Sequence, residues 1–95
     1  MTKDDILKKI HENKAVLKRL GVKRLALFGS HARGQAHSTS DLDFLVEFDK
    51  KSFDVYFDLK EFLEDLFQRK VDLVLPDAIK PRMRANILSE LVDAA

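Results

Sequence analysis

The sequence of 95 residues contains no cysteine and no tryptophan, three glycines, two prolines and no long apolar run. The missing cysteines exclude a disulfide framework and a thiolate metal site, and they suit a reducing compartment. The first residues carry acidic side chains and no apolar stretch, so neither a signal peptide nor a membrane span is expected. The sequence therefore predicts a cytoplasmic protein without a membrane partner.

The sequence also has no large excess of charge of either sign, because seventeen Lys and Arg residues nearly balance sixteen Asp and Glu residues, which gives a net charge of +1. This balance provides no general attraction to nucleic acid, so direct nucleic-acid binding is not expected and an anionic substrate has to be held locally. The chain does contain 45% apolar and 35% charged residues, which indicates a folded core with a highly charged surface. Its length is typical of one domain, and we predict a single domain over residues 1–95.

Hydrophobic periodicity predicts helices that alternate with strands. The first helix starts at a capping-box pair, Thr2 and Asp5, and ends at Gly21. Apolar residues in alternation or in short runs predict strands over residues 22–28, 41–48 and 71–75. Helical spacing predicts a short turn over 30–33, an amphipathic helix over 53–67 and a last helix through Met83, Ile87, Leu88 and Leu91. The expected fold is α/β (α+β), with a small mixed β-sheet covered by helices.

Three aspartates lie on the predicted strands, where charged residues are rare. Alternation puts Asp41 and Asp43 on one face, roughly 7 Å apart along the backbone. Asp72 lies in the third strand. Carboxylates this close need a cation between them, and carboxylate oxygens are ligands of Mg²⁺. The pattern predicts a magnesium site of Asp41, Asp43 and Asp72, although Asp41 taken alone could be a cap at the start of a strand.

A glycine-serine turn precedes the aspartates, where the strand 22–28 ends. Gly29 allows a phosphate to approach the backbone, and Ser30 adds a hydroxyl donor at the start of a helical turn. Arg33 could bind a phosphate with its guanidinium or form a salt bridge to one of the aspartates. We interpret His31 and His37 as exposed loop residues and assign them no role.

The order and spacing of these motifs resemble those of a known protein family. Gly29-Ser30, ten intervening residues, Asp41-Leu42-Asp43 and then Val71-Asp72-Leu73-Val74 resemble the minimal nucleotidyltransferase (MNT) family of the DNA polymerase beta superfamily. The stretch from Gly29 to Gly34 is similar to the Gly-Ser-x-Ala-Arg-Gly form of its small prokaryotic members. Those members are antitoxins of HEPN/MNT toxin–antitoxin pairs, and some resemble adenylyltransferases that modify a tyrosine of the toxin.

The resemblance implies a palm-like nucleotidyltransferase fold in which Gly29 and Ser30 bind a nucleoside triphosphate. It further implies that Asp41 and Asp43 hold magnesium, with two ions expected, and that Asp72 completes the catalytic set. ATP is the implied donor, and a HEPN-type ribonuclease toxin is the implied partner and acceptor. Two alternatives stay open: a catalytically silent antitoxin that neutralises the toxin by binding, and a small-molecule transferase of the aminoglycoside type. A chain of this length leaves little room for an acceptor pocket, which disfavours the latter.

Overall fold

A computed structural model describes residues 1–36, 40–50 and 52–95. The elements in chain order are α1 (Lys3–Glu12), α2 (Lys14–Arg19), β1 (Val22–Phe28), α3 (Ser30–Arg33), β2 (Leu42–Phe48), α4 (Phe53–Phe67), β3 (Val71–Val74), a 3₁₀ turn (Pro76–Ala78), α5 (Pro81–Glu90) and β4 (Val92–Asp93). The predicted mixed α/β fold is confirmed. None of the helices in these ranges has the length and apolar character needed to cross a membrane.

The sheet has the strand order β3-β2-β1-β4. Strand β1 is antiparallel to both β2 and β4, whereas β2 and β3 are parallel, so the sheet is mixed as predicted. The sequence analysis missed β4, which pairs only Val92 and Asp93 with β1. Two residues are too few to show the alternation by which a strand is recognised.

The outer edge of β3 is covered by side chains of α4. The N–H of Val71 donates to Oε2 of Glu64 at 2.9 Å, and the hydroxyl of Tyr56 donates to the carbonyl of Leu73 at 2.6 Å. These bonds occupy backbone groups that an edge strand otherwise offers to another chain. These bonds therefore protect the edge strand that carries Asp72 from pairing with another chain.

The two faces of the sheet bury different side chains. One face packs against α1, α2 and α4 and forms the main core, whose buried members include Ile6, Ile10, Leu17, Leu25, Leu27, Leu42, Phe44, Val46, Leu59, Leu63 and Phe67. The opposite face holds a smaller cluster of Phe28, Leu45 and Ile79 beneath the 3₁₀ turn and α5. The alternation predicted for β2 is confirmed, and it turns Asp43 toward the face with the smaller cluster.

The first helical segment differs from its prediction at one residue. The capping box is present, with Asp5 N–H on Thr2 Oγ1 at 3.2 Å and Thr2 N–H on Asp5 Oδ2 at 2.9 Å. The helix was expected to continue to Gly21, but Asn13 ends α1 and begins α2. Its side-chain amide donates to the carbonyl of Lys9 at 2.8 Å, a local bond that competes with helix continuation.

The predicted last helix is present as α5, although its apolar residues are scarcely buried. None of the residues of α5 is buried, and Met83 and Leu88 are each 47% exposed. Leu91 lies beyond the end of the helix. Of the apolar residues predicted for this helix, Ile87 within α5 and Leu91 just after it pack against the smaller cluster.

Candidate active site

Two of the three predicted acids lie side by side in the sheet. In the parallel pairing of β2 and β3, Asp43 is in register with Asp72. Neighbouring strands are about 4.8 Å apart, and the flanking Leu42 and Val71 point into the main core. Both carboxylates therefore project from the same face, over adjacent strands.

Asp41 precedes the first residue of β2, whereas the predicted strand included it. It is exposed, as is Asp72, while Asp43 is only partly exposed. Burial raises the pKa of Asp43 to about 6, and the negative charges of Asp72 and then Asp41 act in the same direction. The charges of Asp41 and Asp72 therefore both act on Asp43, which is the central acid of the site.

The donor set fits a hard cation, although its side chains are spread apart. In residues 1–36, 40–50 and 52–95, no three or more His, Asp or Glu side chains form a ready metal-binding group. Asp43 carries an electrostatic penalty from its two acidic neighbours, and a cation would relieve it. Carboxylate oxygens without histidine or thiolate are the chemistry that Mg²⁺ accepts.

The glycine-serine turn at the end of β1 lies beside Asp43, on the opposite side from Asp72. Phe28, the last residue of β1, pairs with Asp43, so Gly29 follows directly beside the acid. Gly29 has φ of 77° and ψ of −156°, a backbone conformation that favours glycine. A Cβ at this position would collide with Oδ2 of Asp43 and lie 3.0 Å from its Cγ. Glycine is required here by both the backbone conformation and the contact with the acid.

The turn continues into α3 as predicted. Arg33 N–H donates to the carbonyl of Gly29 at 3.1 Å, and Gln35 N–H donates to that of Ser30 at 2.9 Å. Gly34 ends the helix in the left-handed conformation with φ of 72°. Ser30 is therefore held at the start of a single helical turn that begins next to Asp43.

Arg33 forms a salt bridge, but its partner is not one of the aspartates. Its Nη1 lies 2.9 Å from Oε1 of Glu90, and its Nε donates to Oε1 of Gln35 at 3.1 Å. The charge of Arg33 lowers the pKa of Asp43, and that of Glu90 raises it. Glu90 is thus a neighbour of the site that the sequence analysis missed, since it lies 57 residues from Arg33 at the end of α5. No local motif indicates such a contact.

His31 was expected in an exposed position, and this was wrong. The residue is 3% exposed because α3 turns it inward against the sheet. Its Nδ1 has no hydrogen-bond partner within the described part of the chain. Burial lowers the pKa of His31, and the positive charge of Arg69 lowers it further, whereas a hydrogen bond to the backbone of Asp41 raises it. His37 lies outside the described residues.

Sequence comparisons identify the family of this chain. The profile of the nucleotidyltransferase domain family matches residues 8–94. A chain of Methanocaldococcus jannaschii, described as a protein adenylyltransferase, is 38% identical over 96% of this chain and 96% of its own length. The protein adenylyltransferase MntA of Thermococcus cleftensis is 38% identical over 83% of this chain and 81% of its own length.

Solved structures share the fold. A structure described as a minimal nucleotidyltransferase superposes with a TM-score of 0.82 at 33% identity, covering 97% of this chain and 95% of that one. The complex of an MNT antitoxin with a tri-AMPylated HEPN toxin from Shewanella oneidensis contains a chain with a TM-score of 0.66 at 15% identity, covering 95% of this chain and 71% of that one. The second likeness, at low identity, concerns the fold alone. Since the family profile and close relatives span nearly the whole sequence, the chain belongs to the nucleotidyltransferase domain family, is one of its minimal members, and is a nucleotidyltransferase.

Proposed function

We propose that this chain is a metal-dependent protein adenylyltransferase that acts as the antitoxin of a HEPN-type toxin. It transfers AMP from ATP to a hydroxyl group of the toxin, with tyrosine as the expected acceptor. The observation that carries this proposal is the register of Asp43 with Asp72 directly beside Gly29. The names of the relatives support protein adenylylation, and the AMPylated HEPN toxin in a complex of similar fold supports the partner.

In this proposal the triphosphate binds at the end of β1. The backbone N–H groups of the Gly29-Ser30 turn and the hydroxyl of Ser30 donate to its oxygens, and Gly29 has no side chain to obstruct the approach. A Cβ at Gly29 would also collide with the carboxylate of Asp43. Arg33 adds a guanidinium to the same anion. Asp41, Asp43 and Asp72 would hold magnesium, with two ions expected.

At the α-phosphorus, the transfer forms one bond and breaks one bond, and the acceptor hydroxyl loses its proton. The acceptor oxygen attacks the α-phosphorus of ATP, the bond from that phosphorus to the β-phosphate bridging oxygen breaks, and pyrophosphate leaves. Bound magnesium would supply charge stabilisation at the attacking and leaving oxygens. Asp72 is exposed on the edge strand β3, so it can meet an incoming hydroxyl and help to take its proton.

Incubation of the chain with ATP, magnesium and the purified toxin tests this function. We expect the toxin mass to increase by one or more adenylate units, and peptide mapping to locate them on tyrosine. Asp43→Ala should reduce the rate by orders of magnitude, because it removes a metal ligand from the transition state. Glu47→Ala, a change on the same strand face at the far end of β2, is the matched control and should retain activity.

The same pair of variants separates catalysis from masking in cells. Asp43→Ala leaves surfaces away from the site intact and should still bind the toxin. We expect it to bind without protecting cells from the toxin, whereas Glu47→Ala should protect. Full protection by Asp43→Ala would refute the enzymatic mechanism and support the silent, binding antitoxin instead.

A further inference from the structure

Arg33 is held by two acceptors that come from different parts of the chain. Gln35, just after α3, accepts from Nε at 3.1 Å, and Glu90, the last residue of α5, accepts from Nη1 at 2.9 Å. Among the described residues, no bond to Nη2 accompanies these two. The guanidinium plane is thereby fixed at two of its three nitrogens, while the arginine side chain remains 43% exposed.

The fixed guanidinium lies close to the acid site. Both its charge and that of Glu90 reach Asp43, with opposite effects on the pKa of that carboxyl. Glu90 adds a negative charge to a place that already holds three aspartates, which is unfavourable in itself. Its contact with Arg33 offsets this cost, and its side chain is only 25% exposed.

We propose that Glu90 is a positioning residue for the transferase reaction, which together with Gln35 orients the partly exposed guanidinium of Arg33 toward the triphosphate. This inference rests on the proposed function and names a residue outside the Gly-Ser and Asp motifs. A pre-oriented arginine loses less side-chain freedom when the nucleotide binds, so the anchor improves affinity without touching the substrate.

The alternative role for Glu90 is to fasten the C-terminal segment, but that segment is fastened independently. Strand β4 pairs with β1 at Ala26 and Leu27, and the backbone of Leu25 bonds to Ala94 and Ala95. A second salt bridge, from Arg24 Nε to Asp93 Oδ1 at 2.8 Å, ties the same strands. The Arg33–Glu90 pair is therefore dispensable for attaching the C-terminal end to the sheet.

Calorimetric titration of the full chain with magnesium and α,β-methylene ATP, a donor analogue that cannot transfer AMP, tests the proposal. Glu90→Ala should weaken analogue binding about threefold to tenfold, the range expected when one long side chain has to be ordered on binding. Glu90→Gln keeps an acceptor oxygen and should bind close to wild type. Asp93→Ala removes the other salt bridge and, as the matched control, should leave the affinity unchanged.

A double-mutant cycle shows whether Glu90 acts through Arg33. In an Arg33→Ala background, Glu90→Ala should have no further effect on the affinity. Gln35 is exposed and lies outside the helices and strands, so Gln35→Ala should not affect folding. It should weaken binding in the same way as Glu90→Ala. Unchanged affinity in Glu90→Ala, tighter binding, or additive effects with Arg33→Ala would overturn the positioning role. Absence of binding by the wild type would overturn the proposed function as well, so the two failures are distinguishable.

Discussion

Replacement of Asp43 by asparagine should make the metal-free protein more stable at neutral pH. The pKa of this carboxyl is raised from 3.8 to about 6 by burial and by the charges of Asp72 and Asp41. The folded state therefore binds the proton more tightly than the unfolded chain does. Folding stability from this group is highest below pH 3.8, falls as pH rises toward 6, and is lowest above that value.

The magnitude follows from the size of the shift. A rise of about two units corresponds to about 3 kcal/mol as an upper limit, at about 1.4 kcal/mol per unit. Asp43 is partly exposed, so solvent screening reduces this to about 1–2 kcal/mol. For a domain of this size we expect Asp43→Asn to raise the melting temperature by about 5–10 °C at pH 7.5 with a chelator present. The difference should vanish near pH 4.

Magnesium should reverse the ranking. Ligand at about 100 times its Kd adds about 2.7 kcal/mol to a protein that binds it only when folded, and Asp43→Asn should lose most of this gain. Thermal melts from pH 4 to 8, with and without magnesium, measure both effects. Glu47→Gln removes an acid from the same strand face and serves as the control. A metal-free Asp43→Asn protein that melts no higher than wild type at pH 7.5, or by a margin independent of pH, would refute the reasoning.

Two further predictions concern the surroundings of the acids. Gly29→Ala should abolish magnesium and triphosphate binding, because its Cβ displaces the carboxylate of Asp43, whereas Gly34→Ala shares a positive φ but has open space around its Cβ. Gly34→Ala, in the left-handed helical conformation, should lose about 1–2 kcal/mol of stability, whereas Gly29→Ala, at φ of 77° and ψ of −156°, should lose about 1–3 kcal/mol from the backbone alone. Metal titrations on variants that thermal melts show to be folded therefore test the contact, and equal metal binding by the two variants would contradict it. Tyr56→Phe removes the bond to the carbonyl of Leu73 and should lower the free energy of unfolding by about 1 kcal/mol in urea denaturation. An unchanged unfolding midpoint would argue against a stabilising role of this hydroxyl.

The stability cost of the acids and their proposed role have the same physical origin. Carboxylates that repel each other in the empty protein are poised to gain from a divalent cation. Asp43 is destabilised first by its burial and then by the charges of Asp72, which is in register with it across the strand pair, and of Asp41. A protein selected for stability alone would place a neutral residue at this position.

Local features of this protein were determined by the sequence itself. Alternation in β2 fixed the face on which Asp43 lies, and the glycines at 29 and 34 marked the start and end of α3. Capping residues located the start of α1, and helical spacing located α4. These signals depend on neighbours within a few positions of the chain, which a single sequence displays directly.

The tertiary structure alone decided which distant residues meet. The register of Asp43 with Asp72 depends on how the strands pack over the main core, and the contact of Arg33 with Glu90 depends on where α5 ends. His31 is buried because a single turn of helix is pressed against the sheet, although its polar neighbours suggested exposure. Such contacts join residues far apart in the chain, and they leave no periodicity or turn signal in the sequence because packing of the whole sheet sets their geometry.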